Sequence, residues 1–290
     1  MKCFLLFCIL FVTGCVAGGT YNLSEKNDFF SPDNIDNNFT QGLSVSYREP
    51  IKEQYSEIAV TQELYTPTHK KLVPPLNTEN PYAATLFMTG RRYNEFDDYR
   101  IVYSVDAGIV GKYAFGEQTQ NKFHDLIGNK RVLGWDYQLP SEALVNFSYK
   151  REWINFRKQL KYFDLDSQSS IEARAGNFHV DSIFTNGFKL GKNLPKFDNS
   201  NDNLSYYLFS DLSNHFVAYN LYYDGTMFHD SPSVDTSHFV FVLDSGIGCD
   251  FKTKYFSPKL KFHFVVTTKE YQEQEEEVHS FGWLDLSFVF

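Results

Sequence analysis

Hydrophobic and polar residues take turns along most of this chain. Leu43, Val45 and Tyr47 share one parity while Thr40, Gly42, Ser44 and Ser46 hold the other. Val145, Phe147 and Tyr149 alternate with Asn146, Ser148 and Lys150; Val217, Tyr219, Leu221 and Tyr223 alternate with Ala218 and Asn220; Leu260, Phe262, Phe264 and Val266 oppose Lys259, Lys261 and His263. Period two marks a strand with two unlike faces, because successive side chains leave a strand on opposite sides. Strands are expected near 21–28, 40–47, 57–65, 82–91, 101–110 and 143–153, with about six more beyond, each crossing with about 10 residues. The final run closes on Leu284, Leu286, Phe288 and a terminal Phe290, the ending of an outer-membrane barrel strand. Apolar-out and polar-in alternation over roughly twelve strands predicts an all-β fold, an antiparallel transmembrane β-barrel.

One segment breaks the pattern. Gly116 to Gly128 has no proline, carries Glu117 in its first turn and ends on glycine where a helix C-cap belongs, so a short helix is expected inside the 111–140 loop. Gln120 and His124 are four apart and share one face; Phe123 and Ile127 repeat that spacing as an apolar stripe suited to the barrel wall or to lipid. With a periplasmic N-terminus, odd strands run outward. Asn27-Asp28, Thr40-Gln41-Gly42, the Tyr65–Lys71 loop and Gln120-x-x-x-His124 then meet at the extracellular rim.

Composition narrows the class. Aromatics reach 18%, yet mean hydropathy is −0.37 and no run after the first residues approaches the roughly 18 apolar residues of a helical span. Residues 1–17 read as a signal peptide, Lys2 followed by the apolar run from Cys3 to Val12, with residues 18–290 as a single outer-membrane barrel domain. Val12-Thr13-Gly14-Cys15 also reads as a lipoprotein box, while Cys15-Val16-Ala17 suits ordinary cleavage. After cleavage Cys249 has at most Cys15 as a partner, so no disulfide framework is expected. A net charge of −9 argues against a nucleic-acid partner and leaves an anionic lipid approachable only through a cation. There is no Gly-x-Ser-x-Gly, His-Glu-x-x-His or Cys-x-x-Cys. The acidic run Glu273–Glu277 reads as a hairpin tip, and Trp135 as packing.

The chain resembles the outer-membrane lipid A 3′-O-deacylases. The resemblance rests on Glu25-Lys26-Asn27-Asp28, Phe39-Thr40-Gln41-Gly42-Leu43, Tyr65-Thr66-Pro67, Asn80-Pro81-Tyr82-Ala83, Gln120-x-x-x-His124-x-x-x-Gly128, Gly134-Trp135-Asp136-x-Gln138-Leu139-x-x-Glu142 and Thr268-Lys269-Glu270-Tyr271-x-x-Gln274, in that order. It implies a twelve-stranded barrel that hydrolyses the 3′-acyloxyacyl ester of lipid A in the outer leaflet, with Ca²⁺ and a His-activated water; by its size alone such a barrel is expected to be a monomer. Matched by motif, His124 is the general base, Asn27, Thr40 and Gln120 complete the polar site, Lys70 or Lys71 is its lysine, and Asp28, Asn27 and Thr40 hold the metal. The chemistry is consistent: imidazole titrates near neutrality, and calcium takes oxygen ligands. Where some members carry an acid after the loop glycine, this chain has Asn129-Lys130, which would weaken the calcium site or shift its load to Asp28 and Asp125. Two other classes compete: a non-catalytic barrel serving as a pore, adhesin or structural protein, and a barrel phospholipase using Ser44 or Ser46.

Overall fold

Twelve strands close into one antiparallel barrel in which each strand pairs with its sequence neighbours and the first meets the last. The computed structural model describes residues 18–27, 38–70, 72–197, 204–251 and 256–290; the expected signal peptide lies outside them. The strands are β1 (Thr20–Asn27), β2 (Phe39–Arg48), β3 (Gln54–Tyr65), β4 (Ala83–Glu95), β5 (Tyr99–Val110), β6 (Glu142–Gln159), β7 (Asp164–Gly176), β8 (His179–Lys192), β9 (Ser205–Asn220), β10 (Phe239–Asp250), β11 (Ser257–Thr268) and β12 (Val278–Val289). Helix α1 (Gly116–Ile127) occupies the β5–β6 connection, and a single helical turn, α2 (Leu221–Asp224), follows β9. The β1–β12 ladder runs from Thr20↔Val289 to Asn27↔Gly282 and leaves no free sheet edge.

Parity sorts the two surfaces as expected. Outward positions such as Ile58, Val60, Met88, Tyr103, Val105, Phe147 and Leu212 are exposed apolar residues, the band a membrane requires. Inward positions are charged and paired. Arg91 donates to Glu57 at 2.6 Å, Arg174 pairs with Asp181, and His263 contacts Asp244 at 2.9 Å. Each of these groups has an oppositely charged or hydrogen-bonding partner in place of water.

The rim reached by odd strands carries the longest connections, β3–β4, β5–β6 and β9–β10, and there the mouth is stoppered. Alternation predicts Leu221 and Tyr223 as strand residues continuing β9. Instead the strand stops at Asn220, whose side chain accepts from the Tyr222 amide and caps a helical turn across the opening. Tyr222 stacks on Tyr65 with ring centroids 3.7 Å apart. Its hydroxyl donates to Glu63 at 2.7 Å and takes the Thr85 hydroxyl at 2.7 Å. Tyr223 packs against Tyr271, whose hydroxyl donates to Asn38. A strand-like pattern becomes a helical turn because burying Leu221, Tyr222 and Tyr223 in the mouth outweighs more ladder pairs on a strand leaving the barrel.

Candidate functional site

The outer wall near this rim is polar where β1, β2 and β3 begin or end. Thr20, Asn22 and Lys26 line the lumen, so Tyr21, Leu23, Glu25 and Asn27 face out. By the same parity Gln41 faces out on β2, and Gln62 and Leu64 on β3, since Ser46, Arg48, Glu63 and Tyr65 line the lumen. Asn27 pairs with Gln41, and Gln41 with Leu64, which puts these three side by side. The Gln41 amide donates to Glu25 at 3.1 Å. Between Phe39↔Tyr65 and Gln41↔Leu64 the register slips. Thr40 is the extra residue of that bulge, and its hydroxyl is re-aimed onto that of Thr66 at 2.7 Å.

Onto this wall the β5–β6 connection folds back. Gln62, on the outer face, donates to the Ala114 carbonyl at 2.6 Å. Ala114, Val132 and Trp135 pack with Leu64, Tyr82 and Ala84, joined by Leu86 and Ile109. Asn121 ties the two ends of the loop together, its carbonyl oxygen taking the Val132 amide at 2.8 Å. Helix α1 begins after Phe115 in the left-handed conformation and stops at Gly128, whose amide returns to the His124 carbonyl. Its buried positions are Gly116 and Gln120. Of the two homes open to the apolar stripe, it takes the outer one: Phe123, Leu126 and Ile127 are exposed, with Leu133 and Tyr113 beside them in the same loop.

The sequence-predicted residues divide accordingly. Gln120 is 3% exposed and accepts the Trp135 indole N–H at 2.8 Å. His124 lies one turn further along the same helix face, half-buried, with Nδ1 2.6 Å from the Lys130 carbonyl. A carbonyl only accepts, so Nδ1 carries the proton and Nε2 the lone pair. Asn27 and Thr40 stand on the outer face of the neighbouring strands, joined to the helix through Gln41, Leu64 and the Trp135 cluster. The Lys70 ammonium is buried, whereas Lys71 and Asp28 lie outside the described residues. Asp125, expected to share a cation, is instead held bidentately by Arg131 at 2.9 and 2.7 Å. Those hydrogen bonds keep its carboxyl below the usual value. Ser44 faces the lumen bonded to Thr61 at 2.8 Å and Ser46 lines the lumen, so neither serine shares a face of the wall with His124.

Two residues that contact the sequence-predicted ones have no chemical signal in the sequence. Thr66 completes the hydroxyl pair, and Trp135 orients an amide. Their only trace is position beside Tyr65-x-Pro67 and Gly134-x-Asp136 in the ordered motifs. Among the described residues no group of three or more His, Cys, Asp or Glu is arranged to hold a metal. The donors at the rim are oxygens of the amides Asn27 and Gln41, the hydroxyls Thr40 and Thr66, and the carboxylate of Glu25, a set that fits a hard cation such as calcium better than a soft one.

The family described as outer membrane protein LpxR matches residues 3–290. Among solved structures, LpxR from Salmonella typhimurium superposes with a TM-score of 0.82 at 17% identity, covering 93% of this chain and 100% of that one. The beta domain of the Bordetella autotransporter BrkA gives a TM-score of 0.48 at 8% identity, covering 94% and 98%. No curated protein sequence matches the chain.

Proposed function

This chain belongs to the LpxR family of outer-membrane proteins, and from that premise we propose that it is a calcium-dependent lipid A 3′-O-deacylase acting in the outer leaflet, with its site on the extracellular side. One observation carries the reading. The connection bearing Gln120 and His124 folds down the outside of the barrel wall, over the rim where Asn27, Gln41 and the Thr40–Thr66 pair face out. A polar site on that surface is open to membrane lipid and closed to the lumen. The tyrosine stopper across the mouth argues in the same direction, since a pore has no use for it.

In this mechanism Nε2 of His124 takes a proton from water while the hydroxide oxygen adds to the ester carbonyl carbon. The carbonyl electron pair moves onto its oxygen. The oxyanion then collapses, the bond to the sugar 3′-oxygen breaks, and the imidazolium returns its proton to that oxygen, leaving a free acyl acid and a sugar hydroxyl. The Lys130 carbonyl holds the ring in the required tautomer. The buried Gln120 amide is a donor suited to the oxyanion, and the loop lysine, Lys70 or Lys71, is the site's ammonium. Calcium, when held by Asn27 and Thr40 together with Asp28, supplies positive charge for the ester and for the phosphorylated lipid that a net-acidic protein must approach.

The test is to express the full chain in a host with hexa-acylated lipid A and weigh the lipid A, with and without chelator, beside His124→Ala. Loss of one 3′-acyloxyacyl group, abolished by the substitution and by chelation, is expected. Unchanged lipid A from a correctly folded wild-type barrel overturns the enzymatic reading, and ester release from glycerophospholipid alone replaces it with a phospholipase.

A further inference from the structure

The side-chain amide of Gln120 is held at one end only. Its Oε1 accepts the Trp135 indole N–H at 2.8 Å, while Nε2, fully buried, has no hydrogen-bond partner among the described residues. A buried NH₂ left without acceptors costs roughly 1–3 kcal/mol, so an acceptor that docks beside Nε2 recovers that cost. The indole nitrogen is a donor with no accepting ability. It therefore fixes which way the amide points: a flipped amide would set NH₂ against N–H and put the carbonyl oxygen where Nε2 now stands.

Trp135 is itself immobilised. The ring is 1% exposed and meets Tyr82 at 5.2 Å between centroids. The residue before it has no room for a side chain, because a Cβ on Gly134 would fall 2.3 Å from the Tyr82 ring. From the other side a Cβ on Gly116 would meet the indole edge at 2.7 Å. The main chain is pinned as well, with the Trp135 carbonyl accepting from the Gln138 amide at 2.9 Å. A large aromatic is thus clamped between strand and helix with its one polar atom spent on Gln120.

We propose that Trp135 is a positioning residue for ester hydrolysis: its indole N–H locks the Gln120 amide so that Nε2–H is presented to the oxygen that becomes negative in the transition state. This rests on the hydrolase reading above. Preorganised donors matter because they need not reorient as charge develops, and losing one such donor costs about 10²–10³ in kcat. The lock leaves the substrate itself untouched, so its loss falls on kcat and spares KM.

The test compares wild type, Trp135→Phe, Gln120→Ala and the double variant, each a full-length barrel in mixed micelles of lipid A and detergent. Acyl release is followed by mass spectrometry, and folding by heat-modifiable gel migration. Expected are a fall in kcat of tenfold or more for Trp135→Phe at unchanged KM, and no further fall when it is added to Gln120→Ala. Should Trp135→Phe fail to fold, benzothienylalanine at position 135 keeps the ring shape and exchanges only N–H for sulfur, with the same kcat loss expected. Wild-type kcat in the folded Phe or benzothienyl variant, or an equal fall in both Gln120 backgrounds, overturns the assignment while leaving the deacylase intact. An inactive wild type defeats the hydrolase reading instead.

Discussion

Gly116→Ala should detach chemistry from fold. Gly116 is the first residue of α1 and sits where the helix meets the wall. An added Cβ would lie 2.4 Å from the Ala84 Cβ and 2.7–2.8 Å from the Trp135 ring. Ordinary contact begins at 3.4 Å, so about 1 Å must be found, and neither neighbour can supply it: Ala84 belongs to a ladder strand and Trp135 is clamped. Alanine favours the helix by up to ~1 kcal/mol over glycine, but overpacking of this kind costs about 1–3 kcal/mol, so the helix moves off the wall. A displacement of ~1 Å at a catalytic constellation can cost on the order of 10²-fold in rate. The barrel, held by its closed ladder, should fold as before. Deacylation measured by mass spectrometry, heat-modifiable migration, and trypsin cleavage at the exposed Arg131 read the three effects separately. Undiminished activity together with wild-type resistance to trypsin would refute the claim that the α1–wall contact sets the site.

The clasp between His69 and Glu79 gives a pH dependence. Hydrogen bonding to the Glu79 carboxylate, and its charge, raise the His69 pKa above the usual histidine value. Its contribution is complete below the unfolded value near ~6.5 and is lost as pH rises through the raised folded value. Protease cleavage within residues 66–82 should therefore increase toward alkaline pH in wild type, while His69→Gln is cleaved alike at both ends of the range. Tyr222→Ala removes a buried ring and leaves Glu63 and Thr85 without their hydroxyl partner. A loss of about 3–5 kcal/mol should lower the unfolding temperature, and planar-bilayer recordings should show current that the stoppered wild type lacks. Arg131→Ala frees the Asp125 carboxylate from its bidentate partner, and lipid A deacylation should be nearly unchanged, since the Lys130 carbonyl, not Asp125, holds His124.

Much of the fold could be read from one dimension. Alternation placed the first strands within a few residues of their ends, because a wall with lipid on one side and a charged lumen on the other enforces period two wherever the chain crosses. Helix α1 was legible from Gly116 to Gly128 because its punctuation is local: no proline, an early acid and a terminal glycine in the left-handed region. The order of the motifs gave the family. Local pattern erred at Leu221 and Tyr223, where strand-like residues left the sheet to fill the mouth.

What the tertiary structure alone decided is which surface the site occupies. A loop residue carries no parity, and an apolar stripe is no guide to burial in a molecule whose outside is also apolar. Phe123 and Ile127 accordingly turned to the exposed side, while Gly116 and Gln120, unremarkable by hydropathy, met the wall. The same holds for the bulge that turned Thr40 onto Thr66 and for the indole that fixes one end of Gln120. Both depend on contacts between residues distant in sequence, and the second also on the close approach that Gly116 and Gly134 permit. The amino-acid order thus determined a barrel and its inventory of donors. Three-dimensional packing determined that those donors lie on the outer side of the wall.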